Sequence, residues 1–206
     1  MSKIDFKKDW KHLYQPGKKD FQIVEVPALN FLMVNGHGDP NSAPEYKDAV
    51  EALYATAYKI KFISKKDGQD YVVPPLEGLW WAEDMDTFTT ARDKSQWDWT
   101  MMIMTPDWIS GEVYQQALEE VTKKKNFPAL NKIRLEIYKE GLAVQIMHLG
   151  SYDDEAPTLN KLHQEWMPEN GYIFNGKHHE IYLSDPRKVE PEKLKTILRQ
   201  PISKKN

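Results

Sequence analysis

The chain has 206 residues, 40% hydrophobic and 29% charged, with a formal net charge of −3. That suits one domain, or two fused halves, with a real core, and it excludes a disordered chain. No apolar run approaches the ~20 residues of a membrane span, no basic face is evident for direct nucleic-acid binding, and the absence of cysteine excludes disulfides, thiolate metal sites and a Cys nucleophile, in keeping with a reducing cytoplasm.

The N-terminus, MSKIDFKKDWKHLY, is charged and aromatic throughout and lacks the apolar h-region of a signal peptide. Residues 23–35 read as an apolar strand interrupted at Pro27 and ending in the turn Gly36-His37-Gly38, whose spacing is neither Rossmann nor Walker. A helix is predicted over 44–58, with Ser42 as N-cap, Glu45 completing a capping box and Pro44 in the first turn. Tyr46, Ala49, Val50, Leu53, Tyr54 and Ala57 recur along it at helical spacing. Two strand-like runs follow, 72–81 and 97–104, separated by a charged loop. Next come a helix over 111–125, with Val113, Ala117, Leu118 and Val121 inward, and a strand over 132–138.

The second half repeats the element order of the first. A strand over 142–149 ends at Gly150, a helix over 155–167 carries Leu159, Leu162 and Trp166 as its apolar stripe, and 172–174 and 178–183 form a hairpin across Asn175-Gly176. A last helix opens at Pro191 and runs to about Arg199. The predicted organisation is a single domain: an N-terminal extension (1–22), a first β-α-β-β half (23–104), a connecting helix and strand (105–141), a second half (142–190), and a C-terminal helix and tail (191–206). The fold class is α+β, with helices covering one face of the sheets and the opposite face left as a pseudo-symmetric groove. Registering TMMIMTP (100–106) on EIYLSDP (180–186) places Thr100 and Met102 opposite Glu180 and Tyr182.

Glu180 is the most informative residue. Strand alternation sends Ile181 and Leu183 to one face and His178, Glu180 and Tyr182 to the other. A carboxylate between an imidazole and a phenol suits either a solvated sheet face or the floor of a ligand pocket. Seven Trp, ten Tyr and seven Phe either fill a core or line such a pocket. Of the neighbours Trp80 and Trp81, one faces the core and the other the groove, whereas Trp97 and Trp99 share a face. His148 and Tyr152 flank the strand-to-helix turn HLGSY, and with Tyr138 they complete the candidate groove cluster. His178 and His179 point apart and cannot chelate together, and the six His show no helical i, i+4 pair backed by a carboxylate. No metal or organic cofactor is therefore expected. Without a G-x-S-x-G elbow, any chemistry rests on carboxylates, His and Tyr acting as general acids and bases.

PPLEGLWW (74–81), QIMHLGSYDDE (145–155) and GKHHEIYLSDPRK (176–188) occur in that order. With them the chain resembles the GyrI-like small-molecule-binding family over about 24–183, and within it a stand-alone subgroup, the cyclopropanoid cyclopropyl hydrolases. The resemblance implies two tandem β-α-β-β (SHS2-type) units around a groove and an acidic residue, in the position of Glu180, within an aromatic cage. The ligands it implies are planar aromatic or cationic small molecules. It further implies opening of the cyclopropane ring of DNA-alkylating compounds by water. For such a step Glu180 is expected to act as the base, with Tyr182 or His148 supporting the developing oxyanion. The alternative is a non-catalytic protein that sequesters drugs or modulates a partner such as gyrase. Residues 1–22 hold no helix-turn-helix pattern, so no direct role as a repressor or activator is expected.

Overall fold

In the computed structural model, which describes residues 3–83 and 93–205, the apolar run after the N-terminal segment forms one long strand, β1 (Gln22–His37). Pro27 does not end it. The ladder to β4 (Arg134–Leu149) keeps a single register on both sides of the proline, from Val26↔Gly141 to Ala28↔Lys139. β4 is likewise continuous where the sequence suggested two strands. Gly141 supplies a positive φ of 76° at the break in the apolar pattern, a conformation that a residue with a Cβ resists.

The remaining strands are β2 (Leu76–Trp81), β3 (Asp98–Thr105), β5 (Tyr172–Phe174), β6 (His178–Tyr182) and β7 (Lys195–Lys204). Neighbours follow the order β4-β1-β3-β2-β6-β7, and β7 then pairs back onto β4 along Ala143–Leu149, so six antiparallel strands close a barrel. The expected open sheet face is therefore absent. Two other expectations change with it. The predicted last helix is only a short turn, Pro191–Lys193, followed by β7. Thr196 to Ile202 is buried without interruption and rich in β-branched residues, the pattern of a strand covered on both faces. The predicted hairpin across Asn175-Gly176 is a corner instead: β5 and β6 each pair with a different stretch of β7.

Two short helices, α1 (Phe6–Asp9) and α2 (Lys11–Tyr14), precede the barrel. The long helix α3 (Pro44–Lys66) buries Ala49, Leu53, Ala57 and Ile60, and the small alanines let it lie close against β1 and β3. It runs past the predicted end. Its N-cap is Ala43 with no side-chain bond, so the Ser42 capping box does not form. α4 (Gly111–Thr122) starts at Ser110, whose Oγ accepts the Val113 N–H at 3.3 Å. α5 (Ala156–Asn160) continues into a π-helical turn, Lys161–Trp166. Pro168 accounts for the slip: it has no N–H to offer the Gln164 carbonyl, so the i→i−4 ladder is interrupted there.

The inward face of the barrel is partly ionic. His179 stands between Glu140 (Nδ1–Oε1, 2.8 Å) and Glu77 (Nε2–Oε2, 2.9 Å), and Arg199 Nη1 reaches Glu140 Oε2 at 3.2 Å. Burial pulls the His179 imidazole down, but Glu140 and Glu77 outweigh it and lift the ring to about 9, so it is charged at neutral pH. Burial pushes Glu140 up, and His179 with Arg199 bring it down to about 2. The N-terminal segment closes the cluster: Tyr14 Oη donates to Glu77 Oε1 at 3.3 Å and Arg199 Nη2 donates to the Leu13 carbonyl at 2.7 Å.

Candidate functional site

β2 and β6 pair in the register Leu76↔Tyr182, Gly78↔Glu180 and Trp80↔His178, which points Trp80, His178, Glu180 and Tyr182 to the outer face of the barrel. β2 lies between β6 and β3, so Glu180 sits opposite Gly78, and Thr100 and Met102 are not its neighbours. Gly78 has a structural purpose here. A Cβ at that position would lie 2.8 Å from Trp80 Nε1 and 3.0 Å from Tyr182 Oη. Over this gap Trp80 Nε1 donates to Tyr182 Oη at 2.9 Å, and Tyr182 Oη donates to Glu180 Oε2 at 2.7 Å. The result is a chain of indole, phenol and carboxylate.

This chain forms one wall of a cleft of about 1400 Å³, larger than the ~300–1,000 Å³ typical of drug-sized pockets. The cleft lies on the helical side of the barrel, not opposite the helices, because α3 supplies the facing wall. Tyr46 stacks on Trp80 with ring centroids 6.2 Å apart, Trp97 meets Trp80 edge-on at 5.8 Å, and Tyr152 meets Tyr182 edge-on at 5.7 Å. At one edge Lys94 Nζ pairs with Asp153 Oδ1 at 3.1 Å.

A second carboxyl enters from the turn after β4. Glu155 is 4% exposed and lines the same cleft as Glu180. Burial, and then the charge of Glu180, holds the Glu155 carboxyl well above the ordinary range. A carboxyl buried beside a second acid in an apolar cleft resists ionising, which favours its protonated form. Burial and then Glu180 raise the Tyr182 phenol well above its usual value, which keeps it a proton donor.

The structure brings four of the eight predicted residues together: Glu180, Tyr182, Trp80 and Tyr152. The other four stand apart from the cleft lining. Trp81 points away from Trp80, with Lys177 Nζ 3.1 Å from its ring centroid. Trp99 is fully buried, donates Nε1 to the Gly38 carbonyl at 3.2 Å, and covers Gly36. Tyr138 packs edge-on against Phe31 at 6.4 Å, and the His148 ring is held by the Ser151 carbonyl at 3.0 Å. Tyr46 and Glu155 are not among the expected site residues, and Trp97, open to core or cage by its sequence, falls in the cleft. Helical spacing groups Tyr46 and Tyr54 on one stripe without saying what that stripe faces, and Glu155 marks only a helix start. Among the described residues no cluster of three or more His, Asp or Glu is arranged to hold a metal ion. Nor is any helix of the described residues long and apolar enough to cross a membrane.

Fold and cleft together define an α+β small-molecule-binding domain. The chain belongs to the GyrI-like family: the GyrI-like small molecule binding domain matches residues 19–203. An uncharacterised conserved protein from Listeria innocua is 45% identical, with a TM-score of 0.89 over 98% of this chain and 100% of that one. A hydrolase from Listeria innocua is also 45% identical, with a TM-score of 0.87 over the same shares. The EcmrR C-terminal domain, at 14% identity and a TM-score of 0.57 over 90% of this chain and 98% of that one, shares the fold alone. No curated protein matches the chain by sequence.

Proposed function

We propose that the cleft binds a flat aromatic molecule and hydrolyses a strained cyclopropane ring within it, as in DNA-alkylating compounds. The observation that carries this reading is the Trp80–Tyr182–Glu180 chain set beside the buried Glu155 inside an aromatic cleft. The similarity to a hydrolase from Listeria innocua supports it.

Water attacks the ring methylene and a C–O bond forms. The strained C–C bond breaks, and its electrons pass through the conjugated system to a carbonyl oxygen. Glu180 takes the proton of the attacking water, and Glu155 gives its proton to the oxygen that has gained charge, so the product is the substrate plus one water. Tyr182, whose own proton is committed to Glu180, fixes the carboxylate in place and does not touch the oxyanion. His148 lies outside the cleft lining and has no part in this scheme. Tyr46, Trp80 and Trp97 hold the flat ligand against the water.

The test is turnover. A cyclopropane-bearing alkylator incubated with substoichiometric protein should convert to a product one water heavier, seen by mass spectrometry. Intact ligand recovered after denaturing the protein would instead establish binding without catalysis. The size of the cleft favours that sequestering role as the second reading.

A further inference from the structure

Two imidazoles at one end of the cleft take no part in that scheme. His178 is 8% exposed on β6, beside Glu180. His163 comes from the π-helical turn Lys161–Trp166, a helix irregularity that is frequent at functional sites. Both line the cleft, with ring centroids 6.4 Å apart and planes at 83°. Phe174 packs edge-on against His163 at 4.9 Å and holds that ring at the wall.

Their nitrogens are the unusual part. Both ring nitrogens of His178, and Nε2 of His163, are buried without a hydrogen-bond partner among the described residues. His178 Nε2 comes within 3.4 Å of Glu180 Oε1 but is not aligned to bond it. Buried polar atoms in native proteins are nearly always paired, and each exception calls for a reason. Three such atoms on two adjacent rings, both facing one cleft, call for a common one.

We propose that this end of the cleft is a subsite for a neutral hydrogen-bonding substituent of the ligand, a carboxamide or its equivalent, read by His163 and His178. The inference rests on the aromatic-cleft reading above and names a ligand feature that reading leaves open. Rotation about χ2, a soft torsion for His, turns a nitrogen of either ring toward an occupant. A neutral imidazole offers one donor and one acceptor, which complement the carbonyl and N–H of an amide. Burial, and then His178, bring His163 down to about 3, so it carries no charge at neutral pH. An anionic substituent would face the Glu155–Glu180 pair. A cationic one would settle on Glu180 and leave the imidazoles unpaired.

The test uses calorimetric titration of the full chain with naphthamide, naphthoate and naphthalene, which share one flat body. Naphthamide should bind roughly tenfold more tightly than naphthalene, and naphthoate most weakly. The His163→Phe, His178→Phe double variant should bind naphthamide and naphthalene alike, with the naphthalene affinity kept. His163→Phe alone, which leaves β6 untouched, should cut the amide preference to about threefold and covers the case in which the double variant does not fold. Equal affinities for amide and hydrocarbon in the parent chain would overturn the subsite while leaving the cleft intact. So would an amide preference that survives in a folded variant. Failure of all three probes to bind would overturn the aromatic cleft and the subsite with it. None of these outcomes depends on turnover, so they are separable from loss of hydrolysis.

Discussion

Glu155 and Glu180 reach the same cleft from different elements, the turn after β4 and the strand β6, and the charge of Glu180 helps keep the proton on Glu155. In the unfolded chain Glu155 would give up that proton near its ordinary value of 4.5. A carboxyl raised on folding therefore subtracts stability as pH rises above that value. Glu155→Gln removes this cost and keeps the shape. The variant should melt at a higher temperature than the parent at neutral pH, with a smaller difference near pH 4, while turnover falls. Equal melting temperatures at both pH values would refute the raised carboxyl.

Gly78→Ala tests the floor of the cleft. The added Cβ would meet Trp80 Nε1 at 2.8 Å and Tyr182 Oη at 3.0 Å, so the Trp80–Tyr182 hydrogen bond must open. We expect about tenfold weaker binding of a planar aromatic dye, read by quenching of tryptophan fluorescence. Unchanged affinity would mean that the indole and phenol do not form the binding wall.

The inward cluster makes stability depend on pH in both directions. His179 is raised from 6.5 to about 9, so its contribution is complete below about pH 6.5 and is lost as pH rises through 9. Glu140 is lowered from 4.5 to about 2, so its contribution is present above about pH 4.5 and is lost as pH falls through 2. Thermal melts should show the greatest support from this cluster between about pH 4.5 and 6.5, with a decline toward alkaline pH. Glu140→Gln takes away an attraction that lifts His179, so in that variant the alkaline decline should begin at lower pH. A parent melting temperature that stayed flat from pH 6.5 to above 9 would contradict the assignment.

Gly36→Ala probes the packing beneath the cleft. A Cβ there would lie 2.0 Å from Trp99 Cη2, and the indole, fully buried and bonded to the Gly38 carbonyl, has nowhere to go. Overpacking of this kind costs ~1–3 kcal/mol, visible as a lower denaturation midpoint with an unchanged slope. A midpoint equal to the parent's would show that the Trp99 site relaxes.

The residues on one face of β6 were legible because strand alternation is local: Glu180 and Tyr182 needed only the period of two. Trp80 could be narrowed to a pair with Trp81 but no further, since the choice depends on which face of β2 meets β6. What was hidden is non-local. β7 read as a helix because Pro191 and the charges after it imitate a helix start, and only the neighbouring β4 and β6 make Thr196 to Ile202 a central strand. The closure of the barrel had the same cause, and with it the ionic cluster, whose members Glu77, Glu140, His179 and Arg199 come from four strands. Trp99 was misplaced because a fully buried strand gives no signal as to which side is the ligand's. Glu155 follows two other acids, Asp153 and Asp154, at a helix start, and nothing local distinguishes the one that turns inward.

The central claim, that Glu180 is the base in a cleft that turns over a cyclopropane, is tested most directly by Glu180→Gln. The amide keeps the shape and can still accept from Tyr182, but it cannot take a proton from water. Turnover of a cyclopropane-bearing alkylator, followed as formation of the product one water heavier, should fall by ~10²–10⁴-fold. Binding of a neutral planar dye, measured in parallel, should stay within about threefold of the parent. Turnover by Glu180→Gln at the parent rate would contradict the account.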